Sequence, residues 1–399
     1  MSQQLILQLG RETRLALAEA AAVLGEQAKL VAGSRQTAIV EIPESSQPAE
    51  LQERLAGVIK VGRYLSELAQ GAGPNQIGEA IFTDLSRRPV RDFGISVLDG
   101  PWQTSDRDRL GLAIKKQIRR QGGSARFVSG SEAQLSSVLV ADQLLPRGRE
   151  YLIIWADQRI IIAETITVQA WKKWSTRDYD RPSRDAKRGM LPPKFARIMI
   201  NLGQFDRETI IYDPFCGVGT VLQEAALSGY QRLIGSDRDE LAIQASQKNL
   251  AWLRSWQPSL SFQLELKRIS AEQLPNLADP RQGKPLGIVT EADLGSPELA
   301  RRTPLARKEQ FLALQDRYQR WLTDLYRFVR TTERCVLAFP HLRDPEVALP
   351  LTKVAETIGW RILPPFPLDW QHHPAAGPTL SYARPDQLIG RDLLMVEKP

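Results

Sequence analysis

The feature that most constrains the fold is a repeated unit in which a short apolar strand ends in a carboxylate and leads through a turn into a helix. The first such strand is predicted over Thr209 to Asp213, and a turn with Gly217 and Gly219 separates it from a helix closed by Gly229. A second strand ends at Asp237, and a long helix follows it. This β-α-β-α alternation predicts an open parallel sheet with helices on both faces.

Later segments continue this pattern and define the predicted domains. FQLELK, LGIVTE and RCVLAF are further strand candidates, and the closing segments TLSYARP and RDLLMVE predict two strands suited to an antiparallel edge. Before residue 166, short strands and helices alternate without a nucleotide-binding loop, which indicates a small α+β module. We therefore predict an α+β module over 1–165, a basic connector over 166–195 and an α/β domain over 196–399.

Composition narrows the class of protein. The length of 399 residues suits two or three domains at roughly 150 residues each. A hydrophobic content of 42% and a charged content of 25% are globular values, which excludes a disordered or collagenous chain. We expect no membrane-spanning helix, because no stretch approaches about 18 uncharged apolar residues, and the N-terminus lacks the features of a secretory signal.

Cysteine and histidine usage argues against a disulfide scaffold and a metal site. The chain has only two cysteines, Cys216 and Cys335, which is too few for a disulfide scaffold or a four-cysteine zinc site. This favours a reducing, cytoplasmic setting. His372 and His373 precede a proline without a third spaced ligand, so we predict a loop pair and no metal. We interpret Cys216, in the glycine turn, as a small residue packed beneath a ligand.

Positive charge is concentrated in two regions. The net charge is +7, which is compatible with a polyanionic partner. One region is a predicted helix together with Arg126, which follows it. Its candidate RNA-binding residues are Lys115, Lys116, Arg119, Arg120 and Arg126. The other is the connector, where Trp171, Trp174 and Tyr179 are interleaved with basic residues; its candidates are Arg181, Lys187 and Lys194. Such residues can contact RNA phosphates and stack on unpaired bases, whereas the alternatives are a solvated helix face and buried tryptophans.

The glycine turn predicts a site for an adenosine-containing ligand. It lies at the carboxyl end of a strand, where open α/β sheets bind ligands, and Asp237 at the end of the next strand can accept both ribose hydroxyls. The turn is neither GxGxxG nor a P-loop. Asp213 would repel a pyrophosphate but suits an ammonium group, so the residues favour S-adenosylmethionine and methyl transfer over hydride transfer.

These residues resemble a known family. DPFCGVGT, a helix and GSDRD resemble the cofactor region of THUMP-domain RNA methyltransferases, and RDAKRGMLPPK resembles the lead-in of the branch related to tRNA guanosine-10 N2-methyltransferases. LQLGRETRLALAEAAAVLG, SARFVSGSEAQLSSVLVADQLL and SYARPDQLIGRD are also similar to that branch. The resemblance implies a Rossmann-like methyltransferase domain with a mostly parallel seven-stranded sheet, preceded by a ferredoxin-like and THUMP-like RNA-binding module.

The resemblance also implies the site residues. The candidate cofactor-binding residues are Asp213, Phe215, Cys216, Gly217, Gly219, Thr220, Asp237, Arg238, Ser270, Ala271 and Pro192. Many methyltransferases have an acidic residue before an alanine at the third strand, where this chain has Ser270 and Ala271, so Glu272 is an alternative contact.

The element expected to hold the target base departs from the family pattern. Where amino-methyltransferases of this type carry an Asp/Asn-Pro-Pro-Tyr/Phe element, this chain reads TEADLG, and the candidate catalytic residues are Thr290, Glu291 and Asp293. Glu291 can accept hydrogen bonds from an amine, but Asp293 cannot stack on a flipped base. Stacking is worth about 1–3 kcal/mol, so its loss should weaken base capture.

Three functions remain open on the sequence. The leading hypothesis is an S-adenosylmethionine-dependent methyltransferase acting on a guanine amine in tRNA or another structured RNA. The alternatives are a non-catalytic RNA-binding protein that retains the cofactor pocket, which TEADLG favours, and a DNA amino-methyltransferase, which the THUMP-like N-terminus disfavours. The sequence determines neither the oligomeric state nor the need for a small activating protein subunit.

Overall fold

The structure is a computed structural model that describes residues 2–184, 190–276, 279–295, 302–344, 346–384 and 387–399. The chain divides into two compact units, Met1–Trp171 with Phe366–Ala376, and Lys172–Pro365 with Gly377–Pro399. Residues 366–376 therefore group with the first unit, although the sequence pattern assigned them to the domain over 196–399. Within that unit, Trp370 and His373 are buried, and the His373 ring contacts the backbone carbonyl of Thr37.

The first unit is an α+β structure built on one mixed sheet. Its elements are β1 (Ser2–Leu9), α1 (Thr13–Leu24), β2 (Lys29–Ser34), β3 (Thr37–Pro43), α2 (Pro48–Arg54), β4 (Val58–Ala69), α3 (Pro74–Arg87), β5 (Asp92–Leu98), α4 (Thr104–Arg120), β6 (Arg126–Val128), α5 (Ser137–Leu139), β7 (Gly148–Ala156) and β8 (Arg159–Val168). The strand order is β2-β3-β1-β4-β8-β7-β5-β6. β5 pairs in parallel with β6 and β7, and the other pairs are antiparallel.

The chain from residue 171 onward, apart from residues 366–376, forms the second sheet and its helices. The elements are α6 (Trp171–Tyr179), α7 (Pro193–Leu202), β9 (Ile210–Asp213), α8 (Thr220–Leu227), β10 (Arg232–Asp237), α9 (Glu240–Trp256), β11 (Gln263–Arg268), β12 (Leu286–Glu291), α10 (Pro304–Leu312), α11 (Leu314–Phe328), β13 (Arg334–Arg343), β14 (Glu346–Val347), α12 (Leu351–Ile358), β15 (Arg361–Ile362), β16 (Leu380–Tyr382) and β17 (Ile389–Glu397). The prolines of the predicted connector separate α6 from α7, as expected from the missing N–H of proline.

Seven strands of this sheet follow the order β11-β10-β9-β12-β13-β17-β15. β9 to β13 pair in parallel along this path, and β17 lies antiparallel between β13 and β15. β17 is thus inside the sheet and not at its edge, because the two-residue β15 pairs with its far side. The predicted α/β class, with a mostly parallel sheet after an α+β module, is confirmed. Within the described residues the sheet has nine strands and not the predicted seven, because β14 pairs with β13 and β16 pairs with β17.

The two faces of this sheet are covered by different helices. Ile210 and Tyr212, at alternate positions of β9, belong to a buried cluster with Trp321 and Leu325 of α11. On the other face, Gly235 of β10 leaves room for α8, since a β-carbon there would lie 2.6 Å from a methyl carbon of Leu222. Because β9 pairs in parallel with both β10 and β12, the carboxyl ends of these three strands lie together at one end of the sheet.

Candidate active site

A cavity of ≈ 810 Å³ lies at the carboxyl ends of β9, β10 and β12, within the second unit. Its volume is typical of ligand-binding cavities, which span about 300–1,000 Å³. Residues from the glycine turn, from the ends of all three strands and from α9 and α11 line it. The predicted residues that the cavity brings together are Asp213, Phe215, Cys216, Gly217, Thr220, Asp237, Arg238, Ser270, Ala271, Glu291 and Asp293.

Asp213 is a buried carboxylate at the end of β9. It is 2% exposed, and its Oδ1 accepts hydrogen bonds from the Thr290 hydroxyl at 2.5 Å and from the backbone N–H of Phe215 at 3.1 Å. Burial raises the pKa of Asp213 to about 7, and the nearby charges of Asp237 and Glu291 add to this shift. A cation bound beside Asp213 would favour its ionised form.

Asp237, at the end of β10, holds the glycine turn. Its Oδ2 accepts from the backbone N–H of Gly217 at 3.0 Å, and its Oδ1 accepts from the backbone N–H of Asp239 at 2.9 Å. Each oxygen of a carboxylate can accept two hydrogen bonds. Asp237 therefore retains acceptor capacity on both oxygens, as binding of two adjacent hydroxyls requires.

The two glycines of the turn occupy different surroundings. Both have positive φ, 50° at Gly217 and 80° at Gly219. A β-carbon on Gly217 would have only a carbonyl oxygen at 4.0 Å nearby, whereas one on Gly219 would lie 2.4 Å from Oγ of Ser246. Gly217 therefore keeps open space at the cavity wall, while Gly219, which does not line the cavity, allows α9 to pack closely.

Arg181 does not occupy the RNA-contacting position that was predicted for it. It is 3% exposed, and its Nη1 donates to the hydroxyl of Thr220 at 2.7 Å. Burial lowers the pKa of its guanidinium. Because the side chain supports the first residue of α8 from inside the second unit, the prediction of a phosphate contact is wrong for Arg181.

Glu291 is the carboxylate of the TEADLG element that faces the cavity. Its side chain is 15% exposed, and its Oε1 accepts from Nε of Arg391 at 2.6 Å. Burial raises the pKa of Glu291, and the Arg391 charge opposes that shift. The sequence pattern did not identify Arg391, since 100 residues separate the pair.

The other two candidate catalytic residues have different surroundings. Thr290 is fully buried and does not line the cavity. Its hydroxyl donates to Asp213, so it holds that carboxylate in place instead of making the predicted substrate contact. Asp293 lines the cavity, and its Oδ2 accepts from Arg238 at 3.3 Å and from Arg317 at 3.2 Å. Asp293 therefore joins the end of β10 to α11 through ion pairs.

The third-strand candidates cap a short helical turn. The hydroxyl of Ser270 accepts from the backbone N–H of Glu272 at 3.4 Å, at the start of the 3₁₀ turn Ala271–Asn276. Ser270, Ala271 and the alternative candidate Glu272 all line the cavity. Pro192 does not line it, because it caps α7 and its carbonyl accepts from Ala196 at 3.0 Å.

Most of the remaining RNA-contact candidates that the structure describes are exposed. Lys116, Arg119 and Arg120 of α4 are exposed, and Lys115 is half-buried. The charge of Arg126 is shared with Asp92, which accepts from it at 3.0 Å through both oxygens. In the second unit Lys194 is exposed, with its Nζ 5.7 Å from the Trp174 ring, and Lys187 lies outside the described residues.

Several lining residues were not predicted. They include Ser183, Arg184, Met190, Leu191, Leu241, Ala242, Ala245, Gln310, Leu314, Arg317, Tyr318 and Trp321. The rings of Phe215 and Trp321, which both line the cavity, pack edge to face at 5.0 Å and so join the turn after β9 to α11. A signal for the α11 residues was available in the sequence, because Leu314, Tyr318 and Trp321 share one apolar helical face.

The described residues contain neither a membrane-spanning helix nor a metal-binding cluster. No helix there is both long and apolar enough to cross a membrane. In the same ranges, no three or more His, Cys, Asp or Glu side chains are grouped so that they could hold a metal ion. Burial also raises the pKa of the Cys216 thiol, which does not favour a thiolate nucleophile.

The strand order, the antiparallel β17 and the acid-lined cavity define the second unit as a Rossmann-like methyltransferase domain. The cofactor of this class is S-adenosylmethionine. Residues 181–270 match the model of the family described as RMKL-like, methyltransferase domain.

Curated relatives are similar to parts of the chain. One, from Methanothermobacter thermautotrophicus, is described as a tRNA (guanine(10)-N2)-dimethyltransferase and is 42% identical over 62 residues, which cover 16% of this chain and 18% of the relative. Another of the same description, from Pyrococcus abyssi, is 28% identical over 193 residues, 48% of each chain. The chain thus spans about half, or less, of the length of these relatives.

Solved structures share the fold over the whole chain. TrmN from Thermus thermophilus superposes with a TM-score of 0.52 at 15% identity, covering 100% of both chains. SMU.472, a putative methyltransferase complexed with SAH, has a TM-score of 0.50 at 12% identity and covers 100% of this chain and 98% of that one. At these identities the comparison shows a common fold.

Proposed function

We propose that the protein is an S-adenosylmethionine-dependent RNA methyltransferase, and that its target is the N2 amine of a guanine in tRNA. The observation that carries the proposal is the cavity in which Asp213, Asp237 and Glu291 lie at the carboxyl ends of three adjacent strands. The family match over 181–270 and the names of the relatives support the reaction and the substrate class.

The residues of the cavity fit the cofactor. Asp237 has acceptor capacity for two ribose hydroxyls, and Asp213 places a carboxylate where the ammonium group of a methionyl moiety would be stabilised. When bound, S-adenosylmethionine supplies a sulfonium methyl group, whose S–C bond breaks as an amine lone pair forms the new N–C bond and the electrons move to sulfur. Holding the amine, methyl and sulfur in line supplies most of the catalysis.

Glu291 is positioned to orient the amine. Its carboxylate lines the cavity and can accept an N–H of an exocyclic amino group, which directs the nitrogen lone pair toward the methyl. The nitrogen becomes strongly acidic once the N–C bond forms. A carboxylate already paired with Arg391 is therefore basic enough to take the released proton.

The first unit supplies a basic surface for the RNA. Among the described residues, no carboxylate lies within ion-pair distance of Lys116, Arg119 or Arg120, all on the exposed side of α4. Cations without an acidic partner are available to phosphates, and each phosphate contact contributes to the salt dependence of binding. We propose that these three residues contact the RNA backbone.

A binding experiment tests the role of α4. The triple variant K116A/R119A/R120A should bind tRNA more weakly, and its slope of log K against log salt should be smaller by about 1 for each phosphate that no longer meets a cation. The control is R11A/K29A/R35A, which removes the same charge from other exposed positions of the same unit. Equal weakening in the two triple variants would indicate a net-charge effect and contradict a local role for α4.

A methylation assay tests the proposed reaction. The chain is incubated with radiolabelled S-adenosylmethionine and with total tRNA or duplex DNA, and the modified nucleosides are identified by mass spectrometry. We expect N2-methylguanosine in tRNA, and E291A should abolish turnover while cofactor binding by calorimetry persists. Transfer to DNA alone, or methylation of a nucleoside other than guanosine, would contradict the proposal.

A second function, non-catalytic RNA binding, is favoured by one specific observation. Asp293 stands where the resembling family has an aromatic ring, and its carboxylate is engaged by Arg238 and Arg317. If the wild-type chain binds both S-adenosylmethionine and tRNA but transfers no methyl group, this second function is the correct one.

A further inference from the structure

We infer that Arg391 is a positioning residue that holds Glu291 as a hydrogen-bond acceptor and thereby selects a base edge with two adjacent N–H donors, as in guanine. The inference rests on the proposed function and assigns a specificity role to a residue at the far end of the chain. The observations that support it are the contact of Arg391 with Glu291 and the separate contacts of Arg391 with Gln387 and Tyr382.

The sheet register brings Glu291 and Arg391 together. Across β13, Glu291 pairs with Ala338, and Arg391 of β17 pairs with Pro340. Ala338 and Pro340 are two residues apart on one strand, so the four side chains project from the same face of the sheet. Arg391 is 2% exposed and donates from Nε to Oε1 of Glu291 at 2.6 Å.

Other residues fix the guanidinium independently of Glu291. Its Nη1 donates to Oε1 of Gln387 at 3.2 Å. The ring of Tyr382, which pairs with Arg391 in the sheet, lies 5.9 Å from its Cζ and stacks on Phe195 at 4.7 Å. Arg391 therefore approaches Glu291 from a defined direction, and a change at Glu291 should leave it in place.

Glu291 is the counter-charge of Arg391. Among the described residues, it is the only carboxylate within ion-pair distance of this guanidinium. A buried arginine stays protonated and is stabilised by a paired anion, so the pair favours the carboxylate form of Glu291 over the acid. Among the described residues, Asp213 of β9 and Tyr318 of α11 also interact electrostatically with Glu291, and neither carries a positive charge.

The ionised carboxylate determines which base edge fits. A carboxylate only accepts hydrogen bonds, whereas a protonated glutamate or a glutamine both donates and accepts. The N1–H and N2–H groups of guanine are adjacent donors and match a carboxylate. In 2-aminopurine the amine is retained but N1 is a bare acceptor, so its lone pair would face the carboxylate oxygens.

The test compares two RNA substrates that differ only at the methylated nucleotide, which mass spectrometry of the wild-type reaction identifies. One transcript carries guanosine there, and the other carries 2-aminopurine. The wild-type chain should prefer guanosine in kcat/KM by roughly ten- to a hundred-fold, the usual effect of one mismatched buried polar group. E291Q keeps an oxygen that accepts from the amine, so it should retain slow turnover with solvent taking the acidic proton. It should lose the preference for guanosine, because its amide can also donate to N1 of 2-aminopurine.

Variants of Arg391 test the positioning role. R391Q should reduce the preference and move the acidic limb of the kcat profile to higher pH, whereas R391K should restore both in part. R334Q is the matched control, because Arg334 of β13 forms an ion pair with Glu397 of β17 and does not line the cavity. Unchanged selectivity and an unchanged pH profile in a folded, cofactor-binding R391Q would overturn the inference.

A second readout does not depend on turnover. The carboxyl carbon of Glu291 in selectively ¹³C-labelled protein, assigned by its absence in E291Q, should titrate at higher pH in R391Q than in the wild type. If the wild-type chain methylates nothing, the proposed function fails, and this titration still decides whether Arg391 holds Glu291 ionised. Equal titration midpoints in the two proteins would refute that role.

Discussion

The carboxylate of Asp237 accepts a hydrogen bond from the backbone N–H of Gly217 at 3.0 Å, which ties the end of β10 to the turn that follows β9. The same side chain accepts from Asp239 at the start of α9. One residue thus shapes the turn and keeps acceptor capacity for a ligand. Because of this double role, Asp237 is more sensitive to substitution than a residue that contacts the ligand alone.

We predict that D237A weakens S-adenosylmethionine binding by about 10- to 100-fold, because hydrogen bonds to a charged group are worth about 1.5–3 kcal/mol. Calorimetry on the full chain measures the change. D237N keeps one acceptor oxygen and should lose less affinity than D237A. The matched control is E208A, which removes an exposed carboxylate of the same unit that does not line the cavity. Wild-type affinity in D237A would contradict the assigned role.

The main strands and the glycine turn could be predicted because their signals are local in sequence. The predicted strands over TIIYD and RLIGSD correspond to β9 (Ile210–Asp213) and β10 (Arg232–Asp237), and Asp239 caps α9 as expected, accepting from Leu241 at 2.9 Å. Strand ends, turns and caps depend on neighbouring residues, so periodicity and residue type suffice to find them.

The features that were not predicted depend on contacts between distant residues. Arg391 reaches Glu291 only through the register of β13 and β17, which no local pattern specifies. Arg181 lies among basic and aromatic residues, which suggested an exposed RNA contact. Tertiary packing instead buries it against Thr220. Residues 366–376 belong to the first unit because Trp370 and His373 are buried there, whereas their sequence reads as a loop.

The two turn glycines should respond differently to alanine. G217A and G219A both place a β-carbon at positive φ, which costs roughly 1–2 kcal/mol. G219A also forces a contact with Ser246, so it should cost a further ~1–3 kcal/mol, as overpacked sites do. Chemical unfolding measures both free energies, and the double variant G219A/S246G should recover the steric part. Equal destabilisation by G217A and G219A would contradict the close packing at Ser246.

Asp213 should make cofactor binding depend on pH. Burial raises the pKa of Asp213 to about 7, and a bound cation favours the ionised carboxylate. The affinity for S-adenosylmethionine should therefore fall as pH falls below about 7, by up to about ten-fold per pH unit for one coupled proton. D213N should bind weakly without this dependence, and calorimetry on both proteins from about one pH unit above to one below that pKa measures it. A flat wild-type profile would argue against a cation beside Asp213.

The raised pKa of Asp213 has the opposite consequence for the protein without ligand. A group whose pKa is higher in the folded state contributes stability that is present below its unfolded value and is lost as pH rises through the folded value. The ordinary pKa of 3.8 and the folded pKa of about 7 set this window. The unfolding free energy of the wild type should therefore fall as pH rises from 3.8 to about 7, whereas that of D213N should lack this fall. Unfolding measured at each pH tests this.

His373 should make the first unit less stable in acid. Its Nδ1 accepts from the backbone N–H of Ala375 at 3.0 Å, so its Nε2 carries the proton and donates to the carbonyl of Thr37 at 2.9 Å. Protonation would place a second N–H against that of Ala375. Burial accordingly lowers the pKa of His373, although the charges of Asp157 and Asp99 and the hydrogen bond to Thr37 oppose the shift.

The sign of the effect follows from the lowered pKa. A group with a lower pKa in the folded state contributes stability that is present above its unfolded value of 6.5 and is lost as pH falls below it. H373Q cannot be protonated, so its unfolding free energy should depend less on pH than that of the wild type. The comparison variant is H372Q, because His372 is the exposed neighbour whose charge also lowers the pKa of His373, so it should reduce the pH dependence only in part. If H373Q and the wild type lose the same stability on acidification, the buried neutral ring is not the source of the pH dependence.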